Sequence, residues 1–136
     1  MIETAEEFVR LRTSDDPAEY RRAAADPAPQ AVWFELVERY PEMRFWVAQN
    51  KTVPHSVLER LAADPDPDVR SMVARKRKLQ PALMARLADD PNDGVRHGVV
   101  CNASCPPDIL RRLASDRWST VAEEARARLE DLSDDG

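Results

Sequence analysis

Three residues of this chain stand at a spacing that suits metal ligation: His97, Cys101 and Cys105, four residues apart at each step. On one unbroken helix they would share a face, and nitrogen and sulfur ligands suit zinc. Asn102 and Pro106 argue instead for a helix end followed by a loop, and only His55, from another part of the chain, could complete a ligand set. Cys101 is therefore read as a small buried apolar residue with no metal, while oxidation of the cysteine pair leaves a metal- or redox-responsive module as a third reading. The chain has no Gly-rich phosphate loop and no Ser/His/Asp or Cys/His constellation. Its carboxylate pairs are those that helix capping explains. Two histidines leave little general-base capacity near neutral pH. The expectation is a non-enzymatic protein with no catalytic residue and no cofactor.

Charge and aromatic clusters offer binding chemistry instead. Arg75-Lys76-Arg77-Lys78 replaces the ordinary inter-repeat loop, Gln49-Asn50-Lys51-Thr52 and Cys101-Asn102-Ala103-Ser104 at equivalent places, and with Lys51 should make one edge positive. A basic loop of this kind could face phosphates, as could a row of guanidinium groups at Arg21, Arg44, Arg70 and Arg96. The other reading of the row is that each arginine pairs with an aspartate such as Asp64 or Asp90 and ties neighbouring repeats together. Acidic residues Asp64, Asp66, Asp68, Asp89, Asp90 and Asp93 gather in the alternate loops, which would make the surface dipolar. A separate aromatic concentration lies at Trp33-Phe34, Tyr40 and Phe45-Trp46. Trp33 aligns with Leu58 and Trp46 with Met72, both expected core positions. Phe34 aligns with Glu59, and Phe45 with Ser71 and His97, so these two rings are expected at the surface, where aromatics anchor protein interfaces.

These residues are placed by a repeat. Leu11, Leu36, Leu61, Leu87 and Leu113 recur at intervals of 25, 25, 26 and 26 residues. Within residues 54–75, Pro54 opens a helix whose Val57, Leu58, Leu61 and Ala62 form one apolar stripe. Asp64-Pro65 ends it, and Asp66 before Pro67 caps a second helix that turns Val69, Met72, Val73 and Ala74 inward. Thr4 with Glu7, and Asp16-Pro17-Ala18-Glu19, mark helix starts nearer the N-terminus. Apolar-Arg pairs run through 20/21, 43/44, 69/70 and 95/96. The last unit departs from this with Val121-Ala122 and continues as a longer charged helix to Leu132, as a terminal repeat should. Residues 133–136 are read as a frayed tail. The pattern predicts an all-α chain with about ten short helices, forming one helical-repeat domain over residues 1–136.

Composition sets outer bounds. With 43% apolar and 33% charged residues the chain can build a core. Three glycines against 11 prolines fit helix punctuation better than flexible linkers. A net charge of −5 argues against whole-surface binding to nucleic acid. No apolar run is long enough for a membrane span, and the acidic N-terminus does not look like a signal peptide. A cytoplasmic location is expected, and 17 Arg against 3 Lys points to a GC-rich bacterial genome.

Val-Ala-x-Asn at 47–50, Pro54, Leu58-x-x-Leu61-Ala62, Asp64-Pro65 and Val69-Arg70, recurring through residue 121, resemble the leucine-rich repeat variant family and, more broadly, HEAT-like helical repeats. The resemblance implies a right-handed α-solenoid, a superhelix of about five two-helix repeats of about 26 residues, with some of its shorter helices 3-10. One member of that family carries a cysteine cluster for an iron–sulfur centre. This chain lacks the cluster, so no iron–sulfur cluster is expected. The favoured reading is a scaffold for an unidentified protein partner, with Phe34, Tyr40 and Phe45 as binding residues. The second is nucleic-acid binding through Arg70, Arg75, Lys76, Arg77, Lys78 and Arg96.

Overall fold

The computed structural model describes residues 1–134, and every regular element among them is helical. The ten α-helices are α1 (Ala5–Arg12), α2 (Pro17–Ala25), α3 (Gln30–Arg39), α4 (Arg44–Gln49), α5 (His55–Leu61), α6 (Pro67–Ala74), α7 (Pro81–Leu87), α8 (Asp93–Val100), α9 (Pro107–Leu113) and α10 (Ser119–Asp134). A 3-10 turn at Pro41–Met43 leads into α4. Of the tail expected at 133–136, Ser133 and Asp134 lie in the last turn of α10, and Asp135 and Gly136 lie outside the described residues.

Helix boundaries follow from side-chain capping and proline. Thr4 accepts from the Glu7 amide at 3.0 Å, Asp16 from Ala18 at 2.9 Å, Asp66 from Asp68 at 2.8 Å and Asn92 from Val95 at 3.1 Å. Each such cap contributes about 1 kcal/mol to a helix too short to persist alone. Pro17, Pro67, Pro81 and Pro107 sit in first turns, where a missing N–H costs nothing. No described residue has positive φ, so helices here stop without a left-handed glycine, consistent with the scarcity of glycine.

The chain forms two compact units, Met1–Asp64 and Pro65–Gly136. In the first, Phe8 of α1 meets Trp33 of α3 edge-to-face at 5.6 Å, and Leu11, Leu36, Val37, Val47 and Val57 complete the core. The N-terminus is tied in by the Ile2 amide, which donates to Pro27 O at 2.8 Å. In the second unit α7 and α9 share the pattern of α5. Each has seven residues and buries the third, fourth and seventh: Val57-Leu58-Leu61, Leu83-Met84-Leu87 and Ile109-Leu110-Leu113. The leucine row at 11, 36, 61, 87 and 113 is buried throughout. Gly98 lets α8 approach α6 closely, since a Cβ there would lie 3.1 Å from the Ala74 Cβ and 3.3 Å from Ser71 O.

Candidate functional site

Three of the four arginines in the predicted row end on an aspartate twenty residues ahead. Arg44 meets Asp64 at 3.2 Å through one nitrogen, while its Nε donates to Val37 O at 2.8 Å. Arg70 reaches Asp90 with a fork of 2.8 and 3.1 Å. Arg96 does the same to Asp116 at 2.8 and 3.2 Å, donates to Asp90 O at 2.8 Å, and also holds Asp93. The pairs become drier along the chain, the arginine side chains being 22%, 15% and 4% exposed in that order. Hydrogen bonding to Asp116 raises the Arg96 guanidinium pKa against the cost of burial. Burial pushes the Asp116 carboxyl up, but bonds from Arg96 and the Trp118 amide, with the Arg96 charge, outweigh it and hold the carboxyl below its ordinary value. Arg21 is exposed on α2, and Arg22 beside it pairs with Asp26 and Glu7.

A second polar ladder escaped the sequence reading. Asn50 Nδ2 donates to Ala23 O at 2.8 Å and Asp26 O at 3.0 Å, and Asn102 Nδ2 donates to Ala74 O and Lys76 O, both at 2.8 Å. In the last repeat Arg128 takes over, with NH1 donating to Val100 O at 2.7 Å and Asn102 O at 2.9 Å. Side chains at 50, 102 and 128 thus satisfy carbonyls left over at the end of the preceding repeat's second helix. Each Asn also accepts from the amide two residues on, Thr52 or Ser104, at 2.8 Å. The visible signal was Asn-x-Thr/Ser at 50–52 and 102–104, two periods apart. Lys76 stands at the intervening period, and burial pulls its amine below the ordinary lysine range.

That ladder also shapes the basic loop. Its backbone is clamped at Lys76 O by Asn102 and at Arg77 O by Ser104, whose hydroxyl donates at 2.8 Å. Arg75, Arg77 and Lys78 are exposed, while Lys76 is half-buried. The loop is held in place and presents three cations to solvent. Arg70 and Arg96 point elsewhere, into their ion pairs. The acidic loops are partly neutralised within the second unit, because Arg112 holds Asp89 and Arg96 holds Asp93. A groove of about 400 Å³ there is lined by Asp89, Arg96 and Arg112, with Asp90, Asp116 and Arg117.

The aromatic cluster divides more finely than the alignment implied. Trp33 is core, as expected. Trp46, also expected in the core, is half-buried, because the Arg12 guanidinium, 3.5 Å from its ring centroid, takes the covering role another apolar side chain would have had. Phe34 and Phe45, expected at the surface, are half-buried like Trp46, and so is Tyr40. Phe45 packs edge-to-face on Trp46 at 4.9 Å. Tyr40 donates to Glu6 at 3.3 Å, and burial, followed by the Glu6 charge, raises its hydroxyl pKa.

One expectation fails at the cysteines. Cys101, expected to be buried, is exposed, and Cys105 is the buried one. Residue 101 is the C-cap of α8, one position past the helix, so its side chain lies beside His97, with Sγ 3.6 Å from Nε2. Burial raises both thiol pKa values, that of Cys105 to about 11. Among the described residues no three His, Cys, Asp or Glu side chains form a set able to hold a metal ion. None of the described helices is long and apolar enough to cross a membrane.

No curated protein and no solved structure matches the chain significantly. A family model does match, that of the Leucine Rich Repeat Variant domain, over residues 18–77. Those residues take in the Arg44–Asp64 pair, the Asn50 clamp and the α5/α6 signature already described. That match makes residues 18–77 of this all-helical repeat chain similar to a leucine-rich repeat variant domain.

Proposed function

We propose that this protein is a non-enzymatic helical-repeat scaffold, working in the cytoplasm, that binds another protein through Phe34, Tyr40 and Phe45. The observation that carries the reading is the partial exposure of Phe45 beside Trp46 at a place where other repeats put Ser71 and His97. An aromatic ring kept partly in solvent at a position that tolerates a polar residue is not required by the fold. It suits an interface anchor, which gains by desolvation on binding. A domain built from stacked repeats supplies an extended surface for such anchors.

The basic loop supports nucleic-acid binding as a second reading, because Asn102 and Ser104 hold its backbone while Arg75, Arg77 and Lys78 remain exposed. Two variants separate the readings. One carries Phe34→Ser with Phe45→Ser, and the other neutralises Arg75, Lys76, Arg77 and Lys78. Cross-linking capture from cells should lose its partner with the first variant and keep it with the second. Micromolar, salt-sensitive binding of random DNA or RNA that only the second variant abolishes would reverse the assignment.

A further inference from the structure

Arg12 is held differently from its neighbours. Within the first unit Arg10 pairs with Glu19, Arg22 with Asp26, Arg39 with Glu35, and Arg44 with Asp64. The Arg12 guanidinium instead lies 3.5 Å from the centroid of the Trp46 ring, and its Nε is buried with no hydrogen-bond partner. No described carboxylate lies within ion-pair distance of it. A half-buried cation with only an aromatic face against it leaves its hydrogen-bonding capacity unfilled.

The geometry narrows what could fill that capacity. Stacking on the indole fixes the plane of the guanidinium, and with Nε enclosed the end-on pair of terminal nitrogens is the edge that remains. Two coplanar N–H donors match the two oxygens of a carboxylate. The ring of Phe45 packs edge-to-face on the same indole, 4.9 Å from it, and so adds apolar surface to the Trp46 that Arg12 covers. A net charge of −5 disfavours a polyanion but does not prevent a single short-range, partly desolvated ion pair. The stacked arginine has already lost much of its rotational freedom, which lowers the entropic cost of capturing a ligand.

We propose that Arg12, Trp46 and Phe45 form the recognition point for an acidic residue of a partner protein, the carboxylate seated on the Arg12 fork and an adjacent apolar residue on Phe45. The proposal rests on the protein-binding reading above and adds the chemistry of the partner segment to it.

The test is selection of a displayed random dodecapeptide library on the full chain, followed by affinity measurement with synthetic peptides. Selected peptides should carry Asp or Glu within two residues of an aromatic or aliphatic side chain. Arg12→Gln should weaken them about tenfold, and so should changing the peptide's acid to its amide. The two changes together should cost little more than either alone, a coupling that a purely structural role for Arg12 would not produce. Arg12→Lys keeps the charge and the stack but not the fork, so it should fall between, and it replaces Arg12→Gln if thermal melting shows that variant unfolded. Peptides that depend on Phe45 but are indifferent to Arg12 would overturn the carboxylate assignment and leave the protein-binding reading standing. Peptides indifferent to both would overturn the two together. Recovery of no peptide would overturn the assignment, as would Arg12-dependent binding of an oligo-dT of about twenty nucleotides.

Discussion

Asp116→Asn isolates the driest link of the arginine–aspartate series. Asparagine keeps the shape and can still accept the Trp118 amide, so the change removes charge and half of the fork alone. Arg96 would then be a guanidinium with a side chain only 4% exposed, left with Asp90 O and the half-exposed Asp93. Breaking a buried pair from one side costs about 3–5 kcal/mol, and the two surviving contacts bring the expectation to about 3 kcal/mol. The same change at Asp64 should cost only about 1 kcal/mol, because Arg44 is 22% exposed, touches Asp64 at one point and has Val37 O as well. Asp90→Asn should fall between, the Arg70 fork being bidentate but wetter. Urea denaturation followed by circular dichroism gives the totals, and hydrogen exchange assigns them to each unit, since one two-state transition is not guaranteed in a two-unit chain. An Asp116→Asn cost equal to or below that of Asp64→Asn would refute the link between dryness and cost. The depressed Asp116 pKa fixes the pH response: its contribution is present above the unfolded value near 4 and disappears as pH falls through the folded value. Wild type should lose this stability on acidification below about pH 4, and Asp116→Asn should show a shallower acid limb.

Asn102→Ala removes two carbonyl contacts and the Ser104 amide contact in a buried place, and should cost about 2–4 kcal/mol by chemical denaturation; a loss under half that would mean water replaces the amide. Gly98→Ala sets a gain in helix propensity of about 1 kcal/mol against a Cβ 3.3 Å from the Ser71 carbonyl, which belongs to rigid backbone. A net destabilisation of about 1 kcal/mol is expected, and a higher melting temperature would show that α6 and α8 can part. Disulfide-exchange labelling near pH 8 should modify exposed Cys101 first and leave Cys105, with its thiol near pH 11, until the chain opens; equal rates would contradict the burial of Cys105.

Much of the fold was legible because a repeat reports each position several times. Leu61, Leu87 and Leu113 identify one another as core, and Asp66 next to Pro67 signals a helix start by local chemistry alone. The arginine row left two readings open because nothing local tells a guanidinium facing phosphate from one facing Asp116 twenty residues on. Asn50 and Asn102 were visible as repeating letters without a role, since the carbonyls they satisfy lie more than twenty residues back. Arg12 gave no signal at all. Its contact with Trp46 spans 34 positions (46 minus 12) and occurs in the irregular first repeats, where periodicity has little to compare. Cys101 was misplaced because it lies one turn after His97 and continues that residue's face of α8, outside the buried stripe.

The two polar ladders and the leucine row recur as parts of the fold, so they cannot distinguish one partner from another. Specificity has to come from positions that the repeats fill differently. On the second helices these are 45, 71 and 97, occupied by Phe, Ser and His; 46, 72 and 98, occupied by Trp, Met and Gly; and 49, 75 and 101, occupied by Gln, Arg and Cys. Transplanting the third repeat's residues onto α4, as Phe45→Ser with Trp46→Met and Gln49→Arg, therefore separates fold from recognition. Arg44, Val47, Ala48 and Asn50 stay, so the ion pair, the core and the carbonyl clamp persist. The stability cost should be about 1–2 kcal/mol, from the half-buried indole and its cation–π contact. Partner binding should disappear, since the platform and the stacked Arg12 disappear with it. A graft that folds and still binds at wild-type strength would move the interface away from α4.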